Sequence, residues 1–77
     1  MDRTDQTVDA RGLPCPMPIV KVSQAMASMQ IGQVVEITAT DHSFVPDIEA
    51  WCRKTGHDLI EVNEGEDEIK AYVRKTK

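Results

Sequence analysis

Asp9-Ala10-Arg11-Gly12-Leu13-Pro14-Cys15-Pro16-Met17-Pro18-Ile19 is the stretch in which a strand ends, the chain turns and a helix begins. Residues 6–10 alternate polar and apolar as a short strand does, and Gly12 breaks the pattern. Pro16 suits the first helical position, because its missing N–H is one the helix leaves unpaired and its φ is already helical. The residue before a proline avoids helical geometry, so Cys15 is expected at the N-cap. Its sulfur would then face a first turn whose open amides and helix dipole favour a thiolate over a thiol. Pro16 and Pro18 bring no amide hydrogens and stiffen that turn, leaving Met17 and Ile19 among its donors. Cys15 is therefore the candidate reactive nucleophile, with Gly12, Pro16 and Pro18 shaping the turn that presents it. The competing reading is a cysteine that merely packs.

Working outward, the helix opened by Pro16 is expected to run to about residue 30, with Ile19, Val22, Met26 and Met29 as its apolar stripe and Gly32 as its stop. Residues 33–40 read as a strand whose Val35, Ile37 and Ala39 share one face. Asp41 or Ser43 is expected to cap a second helix that carries Pro46 in its first turn and ends at Gly56. Phe44 or Val45, Ile48, Trp51, Cys52 and Thr55 trace its inner side, so Cys52 reads as a buried, inert thiol. Residues 59–62 and 69–73 flank a Gly-containing acidic loop and form a hairpin. Ile69, Ala71 and Val73 are expected to face the helices, and Lys70, Tyr72 and Arg74 to face away. The order βαβαββ, with one apolar stripe per helix, implies an α/β (α+β) two-layer sandwich: two helices on one face of a four-stranded mixed sheet.

A chain of 77 residues is expected to form a single domain, residues 1–77. With 40% hydrophobic and 29% charged residues it has the composition of an ordinary globular protein. No run approaches the roughly 20 apolar residues that span a bilayer, so the expected location is cytoplasmic, with no membrane partner. Two cysteines, Cys15 and Cys52, are too distant for a Cys-x-x-Cys redox pair and too few for a disulfide framework. A net charge of −4 repels a phosphate backbone, so direct nucleic-acid binding is not expected. The acids gather late, at Asp58, Glu61, Glu64, Glu66, Asp67 and Glu68, where the plain reading is a solvated hairpin tip. Arg11 and Lys21 are the cations nearest Cys15 and candidates to steer an anionic group, although exposed cations are usually only solvated.

The run Asp9-Ala10-Arg11-Gly12-Leu13-Pro14-Cys15-Pro16-Met17-Pro18 resembles the D-x-x-G-x-x-C-P-x-P signature of the TusA/SirA-like sulfur carriers. The resemblance continues through the Met26 to Gly32 helix end, the Asp41 turn and Asp47-Ile48-Glu49-Ala50-Trp51-Cys52, and so covers nearly the whole chain. It implies a sulfurtransferase that holds sulfane sulfur as a transient persulfide on Cys15 and needs no other cofactor. The donor implied is a cysteine desulfurase, a rhodanese or a DsrE-like protein, and the product is handed to an acceptor protein. The apolar turn Asp41-His42-Ser43-Phe44-Val45 and the stretch Trp51-Cys52-Arg53-Lys54-Thr55-Gly56-His57 are more similar to members of sulfur oxidation or general sulfur trafficking than to those of tRNA thiolation. The thiol chemistry agrees, since a low-pKa thiolate both attacks a persulfide sulfur and leaves when the acceptor attacks.

A metal centre built from Cys15, Cys52, His42 and His57 lacks the close ligand spacing small sites use, so no metal is expected. Triads and phosphate loops have no signature. The alternative of another class is a non-catalytic interaction or regulatory module that uses the Cys-Pro-x-Pro turn as a structural corner. A monomer is the working expectation for assembly.

Overall fold

The computed structural model describes residues 4–14 and 16–77. Its elements follow the expected order: β1 (Gln6–Ala10), α1 (Met17–Ala27), β2 (Val34–Ala39), α2 (Phe44–Thr55), β3 (Asp58–Glu64) and β4 (Ile69–Arg74). The strands form one sheet in the order β1-β2-β4-β3. β1 is parallel to β2, while β4 runs antiparallel to both β2 and β3.

Period-two alternation decides which sheet face the helices cover. Val35, Ile37 and Ala39 of β2 stand opposite Val73, Ala71 and Ile69 of β4, and all are fully buried. They meet Val22 and Met26 of α1 and Phe44, Ile48 and Cys52 of α2 in one cluster. Burial contributes about 1.5–3 kcal/mol for each large aliphatic side chain in such a cluster. The intervening Lys70, Tyr72 and Arg74 turn to the uncovered face, where the Tyr72 hydroxyl donates to Glu36 at 2.8 Å. In β3 the apolar Leu59 and Val62 are three apart, which a regular strand would put on opposite faces. A register shift between Leu59 and Glu61 brings both back towards the helices, and it leaves Ile60 exposed.

α1 ends at Ala27, earlier than the expected residue 30. The chain tightens there, with Ser28 N–H donating to Ala25 O and Met29 N–H to Met26 O. Lys75 Nζ donates to the Met26 and Met29 carbonyls, each at 2.8 Å, so a side chain from beyond β4 closes the helix end. Gly32, expected as the stop, instead turns the chain into β2 at φ +96. Ser43 occupies the α2 N-cap without a side-chain cap bond; Asp41 Oδ1 accepts the Ser43 N–H at 3.0 Å instead. Gly56 ends α2 as expected, at φ +87, with its N–H on Cys52 O. Among the described residues no helix is long and apolar enough to cross a membrane.

Candidate functional site

The parallel pairing of β1 and β2, each followed by a returning helix, starts α1 and α2 at the same end of the sheet. β4 runs the opposite way, so the β3–β4 turn reaches that end as well, as the adjacent pairs Ala10↔Ala39, Ala39↔Ile69 and Glu64↔Ile69 show. Three connections therefore converge: residues 11–16, 40–43 and 65–68.

Specific contacts join them. Gly12 N–H donates to Thr40 Oγ1 at 2.9 Å, fixing the motif loop to the end of β2. Gly12 has φ +76, and a Cβ built there would meet nothing within 4 Å. Backbone conformation, not crowding, thus asks for glycine. Arg11 lies along Asp9, with Nε 3.0 Å from Oδ1 and Nη2 3.1 Å from Oδ2, and its Nη1 reaches Glu68 at 3.5 Å. His42 Nδ1–H donates to Glu64 Oε2 at 2.9 Å. The hydrogen bonds from Arg11 hold the Asp9 carboxyl down at about 2. Arg11, considered from sequence as a steering cation, is thus occupied by two carboxylates, whereas Lys21 stands exposed on α1.

The start of α1 differs from expectation by one residue. Pro16 is the N-cap, at φ −99 and ψ 19, and its carbonyl accepts Val20 N–H at 3.1 Å. Met17 is the first helical residue, and Pro18, the second, is buried. The helix loses little from Pro18, because amides of the first turn have no intrahelical acceptor. Met17 N–H, expected to be an open donor, is engaged by Pro14 O at 2.9 Å. Cys15, expected at the cap, lies outside the described residues.

Cys52 is accounted for directly: it is 4% exposed on the inner side of α2. Burial, with a smaller contribution from Asp58, pushes its thiol up to about 11. His42 and His57, weighed together as ligands, are apart: His42 meets Glu64, whereas His57 lies against Trp51 with ring centroids at 5.4 Å and the planes tilted by 37°. Sequence reading missed the links of Arg11 to Glu68 and of His42 to Glu64. Each joins segments distant in sequence, and only the strand order β1-β2-β4-β3 brings the hairpin tip to the motif loop.

The profile of the sulfurtransferase TusA family matches residues 6–75, from β1 to just past β4. The chain belongs to this family. It is 41% identical over 73 residues to YrkI of Bacillus subtilis, covering 95% of this chain and 97% of that protein. It is 36% identical over 72 residues to the sulfur carrier protein TusA of Allochromatium vinosum, covering 94% and 95% of the two chains. The crystal structure of the SirA-like protein from Desulfitobacterium hafniense shares the fold, with a TM-score of 0.81 at 22% identity, over 94% of this chain and 99% of that one.

Proposed function

We propose that this chain is a cytoplasmic sulfur carrier that accepts sulfane sulfur on Cys15 and relays it to an acceptor protein. The single observation that carries the reading is the family match over residues 6–75, a span whose sequence includes the Cys-Pro-x-Pro run. In the loading step the Cys15 thiolate attacks the outer sulfur of a donor persulfide. A new S–S bond forms on Cys15, the donor's S–S bond breaks, and the donor cysteine leaves as a thiolate. The acceptor thiolate then attacks the carried sulfur and Cys15 leaves in turn. The same property, a thiolate stabilised at low proton affinity, serves both steps. Donors of the cysteine desulfurase, rhodanese or DsrE-like type supply the required persulfide.

The test is intact-protein mass spectrometry with site mapping after incubation, in turn, with a cysteine desulfurase and cysteine, with a persulfidated rhodanese and with a persulfidated DsrE-like protein. One added sulfur on Cys15, absent in Cys15→Ser and retained in Cys52→Ser, is the expected result. Sulfur that persists in Cys15→Ser, or no adduct with any of the three donor types, would sink the reading.

A further inference from the structure

β2 is an inner strand, paired with β1 on one side and β4 on the other, and its last residue, Ala39, is fully buried opposite Ala10 and Ile69. Thr40 follows it directly and so leaves the sheet from a point fixed on both sides, and branching at Cβ restricts its side chain further. From there Oγ1 accepts the Gly12 N–H at 2.9 Å. Among the described residues, this is the one hydrogen bond that ties the backbone of residues 12–14 to an element other than β1 and α1: Leu13 N–H donates to Ala10 O at 3.3 Å, and Pro14 O accepts Met17 N–H at 2.9 Å. Two further contacts hold the loop less strictly. The Leu13 side chain packs against the core, an attraction without direction. Arg11 Nη1 reaches Glu68 only at 3.5 Å, between exposed groups.

From this we infer that Thr40 is a positioning residue for Cys15: by accepting the Gly12 N–H, its hydroxyl holds the backbone that leads to the cysteine in line with the start of α1. The inference rests on the carrier reading of Cys15. In the sequence Cys15 comes three residues after Gly12 and one peptide bond before Pro16, the N-cap of α1. An exposed thiolate beside a helix N-terminus gains about two- to fivefold in population from the dipole, and the gain falls off within one turn, so a loop that swings away forfeits it. Gly12 and Thr40 are both exposed, so water takes over the bond when the hydroxyl is lost. Removing that hydroxyl therefore acts on the loop and leaves the core untouched.

The experiment compares the wild-type chain with Thr40→Val, which keeps the branched shape but loses the hydroxyl, and with Thr40→Ser, which keeps the hydroxyl. Alkylation by iodoacetamide, in which the thiolate sulfur bonds to carbon and iodide leaves, is followed between about pH 5 and pH 9 with peptide mapping to read Cys15 apart from Cys52. Below the midpoint of the profile Thr40→Val is expected to react about two- to fivefold more slowly than wild type, its midpoint moved up by about 0.3–0.7 pH unit and its rate at high pH unchanged. Thr40→Ser is expected to follow wild type. A Thr40→Val profile that coincides with wild type, or a shift that Thr40→Ser shares, would overturn the inference; a merely structural role would lower the melting midpoint without moving the profile. Hydrogen exchange tests the bond in the wild-type chain, with no substitution to disturb the fold. The Gly12 amide is expected to exchange about tenfold more slowly than in an unfolded chain, and exchange at the unfolded rate would equally overturn the inference. Sulfur loading keeps the two readings apart. Wild-type protein that takes no sulfur from any of the three donor types counts against the carrier reading, whereas loading of wild type together with an unshifted Thr40→Val profile counts only against the role of Thr40.

Discussion

The two ends of the sheet are held together in different ways. At the motif end, exposed loops reach across to one another through one backbone donor and two side-chain pairs: Gly12 N–H to Thr40, Arg11 to Glu68, His42 to Glu64. At the far end, the residues after β4 are stitched into the fold. Lys75 exchanges backbone bonds with Gln33 and Gly32 while its Nζ holds the Met26 and Met29 carbonyls. Thr76 N–H donates to His57 Nδ1, and its hydroxyl to Gly56 O. Exposed ion pairs contribute only about 0–1 kcal/mol and yield to a competing partner. Half-buried bonds to helix-end carbonyls are harder to replace, because a lost partner leaves the carbonyl unsatisfied. The motif end therefore relies on exposed contacts, whereas the far end adds half-buried ones to its exposed Arg74–Asp58 pair.

The two cysteines sharpen this contrast most. Raising the Cys52 thiol from 9.0 to about 11 lowers its thiolate fraction near neutrality about 100-fold, before any effect of its burial on access. Alkylation by iodoacetamide with peptide mapping is expected to label Cys15 at least about 100-fold faster than Cys52 in the native protein. In denaturant the two should react alike. Equal native rates would erase the distinction between the ends.

Lys75→Met is the next largest. It keeps most of the aliphatic stem but removes both bonds to the α1 carbonyls. The expected loss is about 1.5–3 kcal/mol, the range for charge-assisted hydrogen bonds. For a domain of this size each kcal/mol corresponds to about 4–8 °C in melting midpoint. Thermal unfolding followed by circular dichroism measures it, and a midpoint shift below 2 °C would place the stability of this end elsewhere.

The sequence made these ends legible to different depths. Strand and helix identities, the Val35-Ile37-Ala39 face and the Gly56 stop were readable because each follows from spacing within one element. Cys52 was readable as a buried thiol from the stripe that contains it. The α1 terminus was not, since Lys75, 46 positions beyond Met29, closes it. The realignment of Leu59 and Val62 was hidden too: a bulge leaves no mark in a two-residue period until the partner strand is known. The same holds for Arg11, whose carboxylate at Glu68 lies 57 positions away.

Glycine substitution probes backbone conformation at both ends. Gly12 and Gly56 have φ of +76 and +87, so Gly→Ala at either should lose about 1–2 kcal/mol in denaturant unfolding. The Cβ at Gly56 also meets the Lys77 side chain at 2.8 Å, but that chain end can swing away. Comparable losses are therefore expected. Only Gly12→Ala should also alter the alkylation rate of Cys15, and a matching change from Gly56→Ala would couple the ends in a way these contacts do not.

Titration separates the ends with the smallest effects. At the far end burial, followed by Lys75 and Lys77, lowers the His57 pKa below 6.5. The folded protein therefore binds fewer protons than the unfolded chain in the window just below 6.5, so the contribution of neutral His57 is full above that pH and is lost as pH falls through the folded value. Wild-type melting midpoints should decline from pH 7.5 to 5, and His57→Gln should flatten the decline, since its amide oxygen can still accept Thr76 N–H. At the motif end the hydrogen bonds from Arg11 bring Asp9 from 3.8 to about 2. That contribution is present above 3.8 and lost only as pH falls through about 2, so it leaves the midpoints between pH 5 and 7.5 untouched. Arg11→Gln should accordingly return the Asp9 carboxyl towards 3.8 in a carbon-detected NMR titration, and any change it makes in the melting midpoint should be the same at pH 5 and at pH 7.5. Asp9 still titrating near 2 in that variant would show that the loop backbone, rather than the Arg11 side chain, holds the carboxylate.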